Sequence, residues 1–546
     1  MKILFINSIN YTESILEIPM GLLSLATILK ANGHDVEIVD LNELYLNGKL
    51  PEMDKPEVLD WFSNYIIEKK GDIIGFYTLC SFYHNAVSVA QKIKKNQPGV
   101  AIIFGGPQAS LTATDSLKAF PWIDFIAVGE CETTILDIIH ALSGEKPVEQ
   151  VPGLAYRQNG DVKINLSPAL VKNLDELLPP DFSLISYMNK LKYISIDVGR
   201  GCPFSCRFCS TKTFWKQKFR MKSVDRIISE MENVYQKFGI THFLMSHDIF
   251  TLNNKYLNDF CNRLRAKKLP FTWSCSSRAD TLDPETANLM KKSGCNAVFI
   301  GIETGSPRMQ KLVNKNLDLE KAWKIARQVS QAGIQTKLAF IFGFPDETED
   351  DLKQTLSFIM RAIRFGSEII ILNHFVMLSG TEYYEKYNHR LTFDEIVPAW
   401  SDGFIFEETK PLIYQHPEIF PHFFRTESHL YSKYLHLDIF VNFLSYFYKF
   451  VPDTFDNILL FYKENLNDLY LDFVHHNPDF GTKYQDAKSY FPEIENNTFA
   501  LSFFKLMDKY IGNQDFGESS YQIRETFDVE VKLYKYRISL RQEVCN

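Results

Sequence analysis

Nowhere does this 546-residue sequence offer the uninterrupted run of about 20 apolar residues that a membrane-spanning helix needs. The most apolar late stretch, Leu437 to Val451, is broken by Asp438, Asn442 and Lys449 and reads as a buried helix. A basic start, a long apolar run and a small-residue cleavage site are missing from the beginning. There Met1-Lys2-Ile3-Leu4-Phe5-Ile6 enters a strand-like segment at once, so export is not expected and a cytoplasmic setting is. Positive charge is not in excess, and a net charge of -8 gives nucleic acid no broad electrostatic attraction. No repeat of the kind that builds solenoids is present, nor any low-complexity tail. Cysteine is sparse, nine in all, and without an export signal this argues for a reducing compartment rather than a disulfide framework. Six of them, Cys80, Cys131, Cys261, Cys275, Cys295 and Cys545, share no metal-ligand spacing and read as small buried side chains.

The length exceeds what one hydrophobic core serves, and a composition of 45% hydrophobic and 23% charged residues is that of a globular protein of several domains. Up to about Leu142, β-type runs alternate with helical ones: strands at Lys2 to Asn7, Asp35 to Asp40, Asp72 to Tyr77, Ala101 to Phe104 and Phe125 to Val128, helices at Gly21 to Asn32 and Ala86 to Lys95. This is the pattern of an α/β fold with a parallel, doubly wound, Rossmann-like sheet, in which ligands gather beyond the carboxyl ends of the strands. Those ends read Asn7-Ser8, Thr78-Leu79-Cys80-Ser81, Gly105-Gly106-Pro107-Gln108 and Gly129-Glu130. A dinucleotide site would place G-x-G-x-x-G straight after the first strand, and Asn7-Ser8-Ile9-Asn10-Tyr11 does not comply. Between residues 143 and 186 prolines punctuate short segments and the reading is a connector. Strand and helix patterns resume at Tyr193 to Val198 and continue through Phe243 to Ser246, Trp273 to Ser276, Ala297 to Ile302, Lys337 to Phe342 and Ile369 to Asn373. Six such units suit a (β/α)6-type partial barrel with its chemistry at the strand carboxyl ends. Past residue 410 the chain turns rich in Phe, Tyr and His at helical spacing, and a helical C-terminal domain is expected over 411–546. There Tyr414, His416, Phe420, His422 and Phe423 are either core packing or the lining of an apolar substrate cavity. The expected domains are therefore 1–142, 143–186, 187–410 and 411–546.

The sharpest feature follows the strand Tyr193 to Val198: Gly201-Cys202-Pro203-Phe204-Ser205-Cys206-Arg207-Phe208-Cys209, a C-x3-C-x2-C run in one tight loop. Three thiolates so spaced converge on three irons of a [4Fe-4S] cube and leave the fourth iron open, as catalytic metal sites do. A structural zinc would want a fourth Cys or His, and none lies at matching spacing nearby. The motif resembles that of the radical S-adenosylmethionine (SAM) superfamily, with Phe208 at its aromatic position. The resemblance implies that Cys202, Cys206 and Cys209 hold the cluster, that SAM chelates the open iron, and that its reductive cleavage yields a 5'-deoxyadenosyl radical. It extends to Met245-Ser246-His247-Asp248-Ile249-Phe250, Ser276-Ser277-Arg278-Ala279-Asp280, Gly301-Ile302-Glu303-Thr304-Gly305 and the strand ending Phe342-Gly343-Phe344-Pro345. SAM contacts are expected at Glu303 for its ammonium, Arg278 for its carboxylate, and Ser246, Asp248, Ser276 and Gly343 around them.

Ahead of this, Ile18-Pro19-Met20-Gly21-Leu22-Leu23, Phe104-Gly105-Gly106-Pro107-Gln108 and Val128-Gly129-Glu130-Cys131-Glu132 resemble the cobalamin-binding domain that accompanies some radical SAM barrels. Cobalamin contacts are expected at Gly21, Leu22, Ser81, Gly105, Gly106, Gln108, Gly129 and Glu130. The D-x-H-x-x-G signature that brings a histidine to cobalt in other corrinoid proteins is absent. The resemblance implies a radical C-methyltransferase working through methylcobalamin, with an external electron donor such as flavodoxin or ferredoxin and an unidentified small-molecule, lipid or peptide substrate. A ring-contracting or ring-closing enzyme with the same cofactors is the alternative, and a non-catalytic corrinoid or redox sensor a third. Neither nucleic acid nor a membrane span is expected.

Overall fold

The computed structural model describes residues 1–9, 17–49, 57–364, 369–393, 405–426, 430, 433–448, 450–478, 480, 505, 507–514, 516, 519, 520 and 522–532. Most of the loop after the first strand (10–16) and the last residues of the expected C-terminal domain (533–546) lie outside them. Two compact units divide the chain: Met1–Ser276 with Lys292–Cys295 and Val376–Glu427, and Ser277–Lys291 with Asn296–Phe375 and Ser428–Asn546.

The first unit opens with a seven-stranded sheet: β1 (Lys2–Asn7), β2 (Asp35–Asp40), β3 (Ile73–Tyr77), β4 (Ala101–Gly105), β5 (Phe125–Ala127), β6 (Leu154–Gln158) and β7 (Asp161–Ile164), ordered 2-1-3-4-5-6-7. β1 to β5 are parallel. Because side chains alternate across a strand and a parallel sheet is covered on both faces, each strand divides between two cores. Leu4, Ile6, Ile74, Phe76, Ile102 and Phe104 enter one, Ile3, Phe5, Ile73 and Ile103 the other. The order reverses between β1 and β3, which opens a crevice at their carboxyl ends.

Two features of this unit escape the sequence reading. The stretch expected as a connector contains the β6–β7 hairpin, which extends the sheet antiparallel to β5. Its signal is Asn159-Gly160, both in the left-handed region (φ 53° and 86°) as a tight hairpin turn demands. The segment 405–426 returns to this sheet: Phe406, Ile413, Ile419, Phe420, Phe423 and Phe424 lie in the core that holds Phe76, Tyr83 and Phe104. Phe406 and Ile413, on opposite sides of the expected boundary at 410, thus share one core. Phe420 and Phe423 are packing residues rather than a substrate lining, and Tyr414 is largely exposed.

The same unit carries three further parallel strands, β8 (Tyr193–Asp197), β11 (His242–Ser246) and β12 (Thr272–Ser277), with β11 between the others. The short pair β9 (Gly199–Arg200) and β10 (Arg220–Met221) brackets the cysteine loop. Their helices start and stop as the sequence dictates. Ser223 accepts from the Arg226 amide at the head of Val224–Phe238, and Gly239, at φ 72°, ends it. The second unit holds β13 (Cys295–Glu303), β14 (Gln335–Phe342) and β15 (Ile369–His374), parallel with β14 in the middle. Six strands thus stand where six were expected. The helix Leu437–Phe447 backs β15, and its Asn442 side chain accepts from the Leu372 amide (2.8 Å) and donates to the Leu372 carbonyl (3.4 Å). Further helices, Pro452–Phe461 and Leu466–His476, make this region helical as expected.

Truncating a buried aromatic in a core forfeits its transfer free energy and leaves a cavity. Phe420→Ala should therefore destabilise the first unit by about 3–5 kcal/mol. Denaturant unfolding followed by fluorescence checks this, and an unchanged midpoint would detach the 405–426 segment from the N-terminal core.

Candidate functional site

The cysteine loop hangs from the carboxyl end of β8 and is tied at several points. Arg200, buried immediately before it, pairs with Glu130 (2.9 Å), Glu132 (2.7 Å) and Asp197 (3.1 Å). Arg220, on the strand that follows the loop, reaches Glu130 at 2.8 Å, and the Trp215 ring lies under both guanidinium groups. Gly201 (φ 83°) is obligatory, since a Cβ there would stand 2.1 Å from the Lys218 carbonyl oxygen. Asp248, past the end of β11, accepts from the Thr211 hydroxyl at 3.2 Å and faces the Gly201 amide, bracketing the loop from both ends. The Cys209 amide donates to the Cys206 carbonyl (3.1 Å), closing a tight turn between the last two cysteines.

The three thiols are half-buried and close enough to perturb one another, and burial pushes Cys202 up to about 11. Among the described residues no three His, Cys, Asp or Glu side chains are set for a single metal ion. A cubane asks for something else, one thiolate on each of three irons, and a donor set of three sulfurs with no fourth suits it. None of the eight described cysteines is in a disulfide, and the scattered ones are buried or half-buried. Phe208 is half-buried in the loop, while Ser246 is exposed at the end of β11. The half-buried Ser276 uses its carbonyl to accept from the Phe250 amide (3.0 Å). His247, between Ser246 and Asp248, is held neutral by burial, its pKa lowered to about 4, and its Nδ1 accepts from the Ile249 amide.

In the N-terminal sheet the crevice between β1 and β3 is flanked by Ser8 and Ser81. Ser8 Oγ is buried with no hydrogen-bond partner among the described residues, as a site for a polar ligand would have it. Gly21 and Leu22 open the helix Met20–Ala31, Gly21 lying beside the Tyr77 ring. Gly105 and Gly106 close β4. Gly106 (φ 99°) presses on Thr78, whose carbonyl oxygen a Cβ would meet at 2.6 Å, whereas Gly129 (φ 83°) faces open space. Two of the residues expected as cobalamin contacts have hydrogen-bond partners inside the protein. Gln108 donates to the Ile419 carbonyl at 2.6 Å, and Glu130 is enclosed by Arg200, Arg220 and the Val171 amide.

The second unit gathers the remaining residues. Arg278, expected to meet a carboxylate of SAM, forks onto Asp280 (3.0 and 2.8 Å) and donates to the Lys315 carbonyl (3.0 Å). Lys315, which no sequence signal singled out, is buried with its Nζ 2.6 Å from Glu303 Oε1. Both groups lie over Gly301, where a Cβ would be 2.4 Å from that carboxylate oxygen and 2.9 Å from the ammonium. Glu303 is held left-handed (φ 69°), uncommon for a residue with a side chain. Gln310 fixes it by donating to the flanking Ile302 and Thr304 carbonyls, each at 2.8 Å. Gly343 (φ 83°) turns the chain after β14, and one Glu347 oxygen accepts from both the Gly343 and Phe344 amides. Burial pushes that carboxyl up to about 8.

Residues 196–359 match the radical SAM superfamily model, and residues 16–139 match that of the B12 binding domain. An uncharacterised methyltransferase of Pyrococcus horikoshii is 31% identical over 345 residues, 62% of this chain and 72% of that protein. An anaerobic magnesium-protoporphyrin IX monomethyl ester cyclase of Rubrivivax gelatinosus is 28% identical over 375 residues, 65% of each chain. Among solved structures, the cobalamin-dependent S-adenosylmethionine radical enzyme OxsB with aqua-cobalamin bound shares the fold. Its TM-score is 0.62 at 17% identity, over 100% of this chain and 81% of that one.

The raised Glu347 pKa carries a pH signature. An acid whose folded pKa lies above its unfolded value binds more protons when folded, so its contribution to stability falls as pH rises from about 4.5 to about 8. Melting temperature followed across that window should decline less in Glu347→Gln than in the parent protein. Parallel curves would remove the carboxyl from the account.

Proposed function

The chain belongs to the cobalamin-binding branch of the radical SAM superfamily, and from that premise we infer that it is a C-methyltransferase. The carrying observation is one chain with both a B12 binding domain and a radical SAM domain, similar at 31% identity to a protein described as a methyltransferase. When bound, the [4Fe-4S] cluster supplies the electron that splits SAM to methionine and a 5'-deoxyadenosyl radical, and cobalamin supplies the methyl group.

The protein's part is binding and orientation. Cys202, Cys206 and Cys209 hold the cluster, and Asp248 with Gly201 sets the loop that carries them. Glu303 and Lys315, opposite charges 2.6 Å apart on a glycine floor, suit the ammonium and carboxylate of the amino-acid end of SAM. The Gly343 turn, clamped by Glu347, offers backbone to the same ligand. The β1–β3 crevice, with Ser8, Ser81, Gly21, Leu22, Gly105 and Gly129 around it, receives the corrinoid. An external low-potential reductant and a carbon substrate complete the reaction. Among the described residues no helix is long and apolar enough to cross a membrane, and a reducing cytoplasm suits free thiols.

Anaerobic protein reconstituted with iron, sulfide and hydroxocobalamin, then given dithionite and SAM labelled in its methyl group, should form 5'-deoxyadenosine and S-adenosylhomocysteine and move label into the corrinoid fraction. Serine at any of the three loop cysteines should abolish 5'-deoxyadenosine. The likeness to a cyclase supports a second reading, in which 5'-deoxyadenosine appears without label transfer. Glu303→Gln should weaken SAM binding about tenfold by calorimetry, the loss of one charge-assisted contact. Unchanged affinity would take Glu303 out of the site.

A further inference from the structure

In the second unit the residues read as SAM contacts stand on two strand ends, Glu303 on β13 and Gly343 after β14, and the first two turns of the helix Glu349–Arg364 are tied to both. The centre of the tie is Asp351, 2% exposed. Its Oδ1 accepts from the Ser306 hydroxyl (2.5 Å) and from Arg308 Nε (3.2 Å). Its Oδ2 accepts from the Thr348 hydroxyl (2.5 Å), the Thr348 amide (2.9 Å) and Arg308 Nη2. Burial alone would raise the pKa of this carboxyl, but these donors outweigh it and hold the group ionised, well below the usual carboxylate range. A carboxylate can only accept, so the Ser306 hydroxyl spends its proton there. The Ser306 oxygen in turn accepts from the Met309 amide (3.2 Å) and caps the helix Pro307–Leu312.

One turn further along, Thr355 gives its hydroxyl proton to the Asp351 carbonyl (3.0 Å). Its oxygen must therefore accept, from the Gly305 amide (3.0 Å) and from the Thr304 hydroxyl (3.1 Å). The two backbones press together here: a Cβ on Gly305 would stand 2.7 Å from the Gln354 carbonyl oxygen and 2.8 Å from Thr355 Cα. The helix that Ser306 caps carries Gln310, which grips the left-handed Glu303 by its flanking carbonyls. The main-chain carbonyl of Gln310 also accepts from the Lys315 amide (3.1 Å). On the other side Thr348, held by Asp351, follows Glu347, whose carboxyl clamps the Gly343 turn. One buried carboxylate and one buried hydroxyl thus reach both strand ends through a continuous set of hydrogen bonds.

We propose that Asp351 and Thr355 are positioning residues for SAM: acting through Ser306, Gln310 and Glu347, they set Glu303, Lys315 and the Gly343 turn in one arrangement before the ligand arrives. The inference rests on the radical SAM reading above. A site already in its bound arrangement spends no free energy on ordering when the ligand enters. Loosening it weakens binding even though every group that would touch the ligand is still present. The strained backbone of Glu303 (φ 69°) is where such loosening shows first, since it persists only while its surroundings hold it.

The test measures SAM affinity by calorimetry on the full-length, cluster-loaded enzyme, with melting temperature beside it. Thr355→Val keeps the shape and removes the hydroxyl, and Asp351→Asn keeps the shape and removes the charge. Each should weaken SAM binding by about tenfold. Thr355→Ser, which restores the hydroxyl, should bring affinity back to within about twofold of the parent. Ile363→Ala, at a buried position about two turns further along the same helix, should lower the melting temperature at least as far and leave SAM affinity within about twofold. Because Thr355 acts through Glu303, Thr355→Val added to Glu303→Gln should weaken binding by no more than about twofold beyond Glu303→Gln alone, whereas independent effects multiply. Where Asp351→Asn does not fold, the Thr355 series decides. Unchanged affinity in Thr355→Val, an equal loss in Ile363→Ala, no recovery in Thr355→Ser, or multiplying losses in the double variant overturns the proposal. A parent that holds its cluster but binds no SAM overturns the radical SAM reading and this inference with it, whereas a parent that binds SAM beside unaffected variants overturns this inference alone.

Discussion

Arg200 stands directly before the cysteine loop with three carboxylates around it, and much of the first unit is arranged so that this is possible. Glu130 and Glu132 come from the loop after β5 of the N-terminal sheet, Asp197 from the end of β8, and Arg220 adds a second cation on Glu130. A buried guanidinium is tolerable only when its charge is met by several acceptors, and removing one member of such a set typically costs 3–5 kcal/mol because the remaining charge is left uncompensated. The network fixes the start of the cluster loop to the edge of the domain that the B12 model matches. Glu130, expected as a cofactor contact, is in this structure a joint between the loop after β5 and the strands that flank the cysteines.

The loop itself is shaped by steric exclusion. Gly201 admits the Lys218 carbonyl where any side chain would collide, and Gly301 leaves room for an ion pair where a Cβ would touch both partners. Glu303 carries a strained backbone that Gln310 holds by its two flanking carbonyls. Such strain persists where the surroundings over-determine it, and it clusters at ligand sites. The chemistry inferred for the protein asks for this rigidity, because reactive groups must be held in place while water is kept away.

Much of the α/β architecture was legible. β1 and β2 run between the limits that alternation alone suggested, and six later strands follow where six were read. The cysteine spacing named the cluster loop because the chemistry of three irons is written in three nearby residues. Other features were hidden for physical reasons. Asn442 reads as an interruption of an apolar run, yet its amide satisfies the exposed backbone of β15, a role visible only once strand and helix are adjacent. Lys315, twelve residues from Glu303, is ordinary in sequence, and its burial against that carboxylate is a product of the turn between them. Phe420 and Phe423 sit at a spacing that suits any core, and the core they enter belongs to a sheet more than 300 residues earlier in the chain.

The sequence alone determined which atoms are available for chemistry: three sulfurs in one loop, glycines at strand ends, and an alternation that dictates parallel strands. These are local facts, readable because spacing and periodicity act over a few residues. Tertiary structure alone decided how the charged residues are used, sending Arg278 to Asp280, Glu130 to two arginines, and leaving Lys216 and Lys218 facing solvent. Charge is assigned by whichever partners the fold brings within a few ångströms once water is excluded, and no spacing along the chain encodes that.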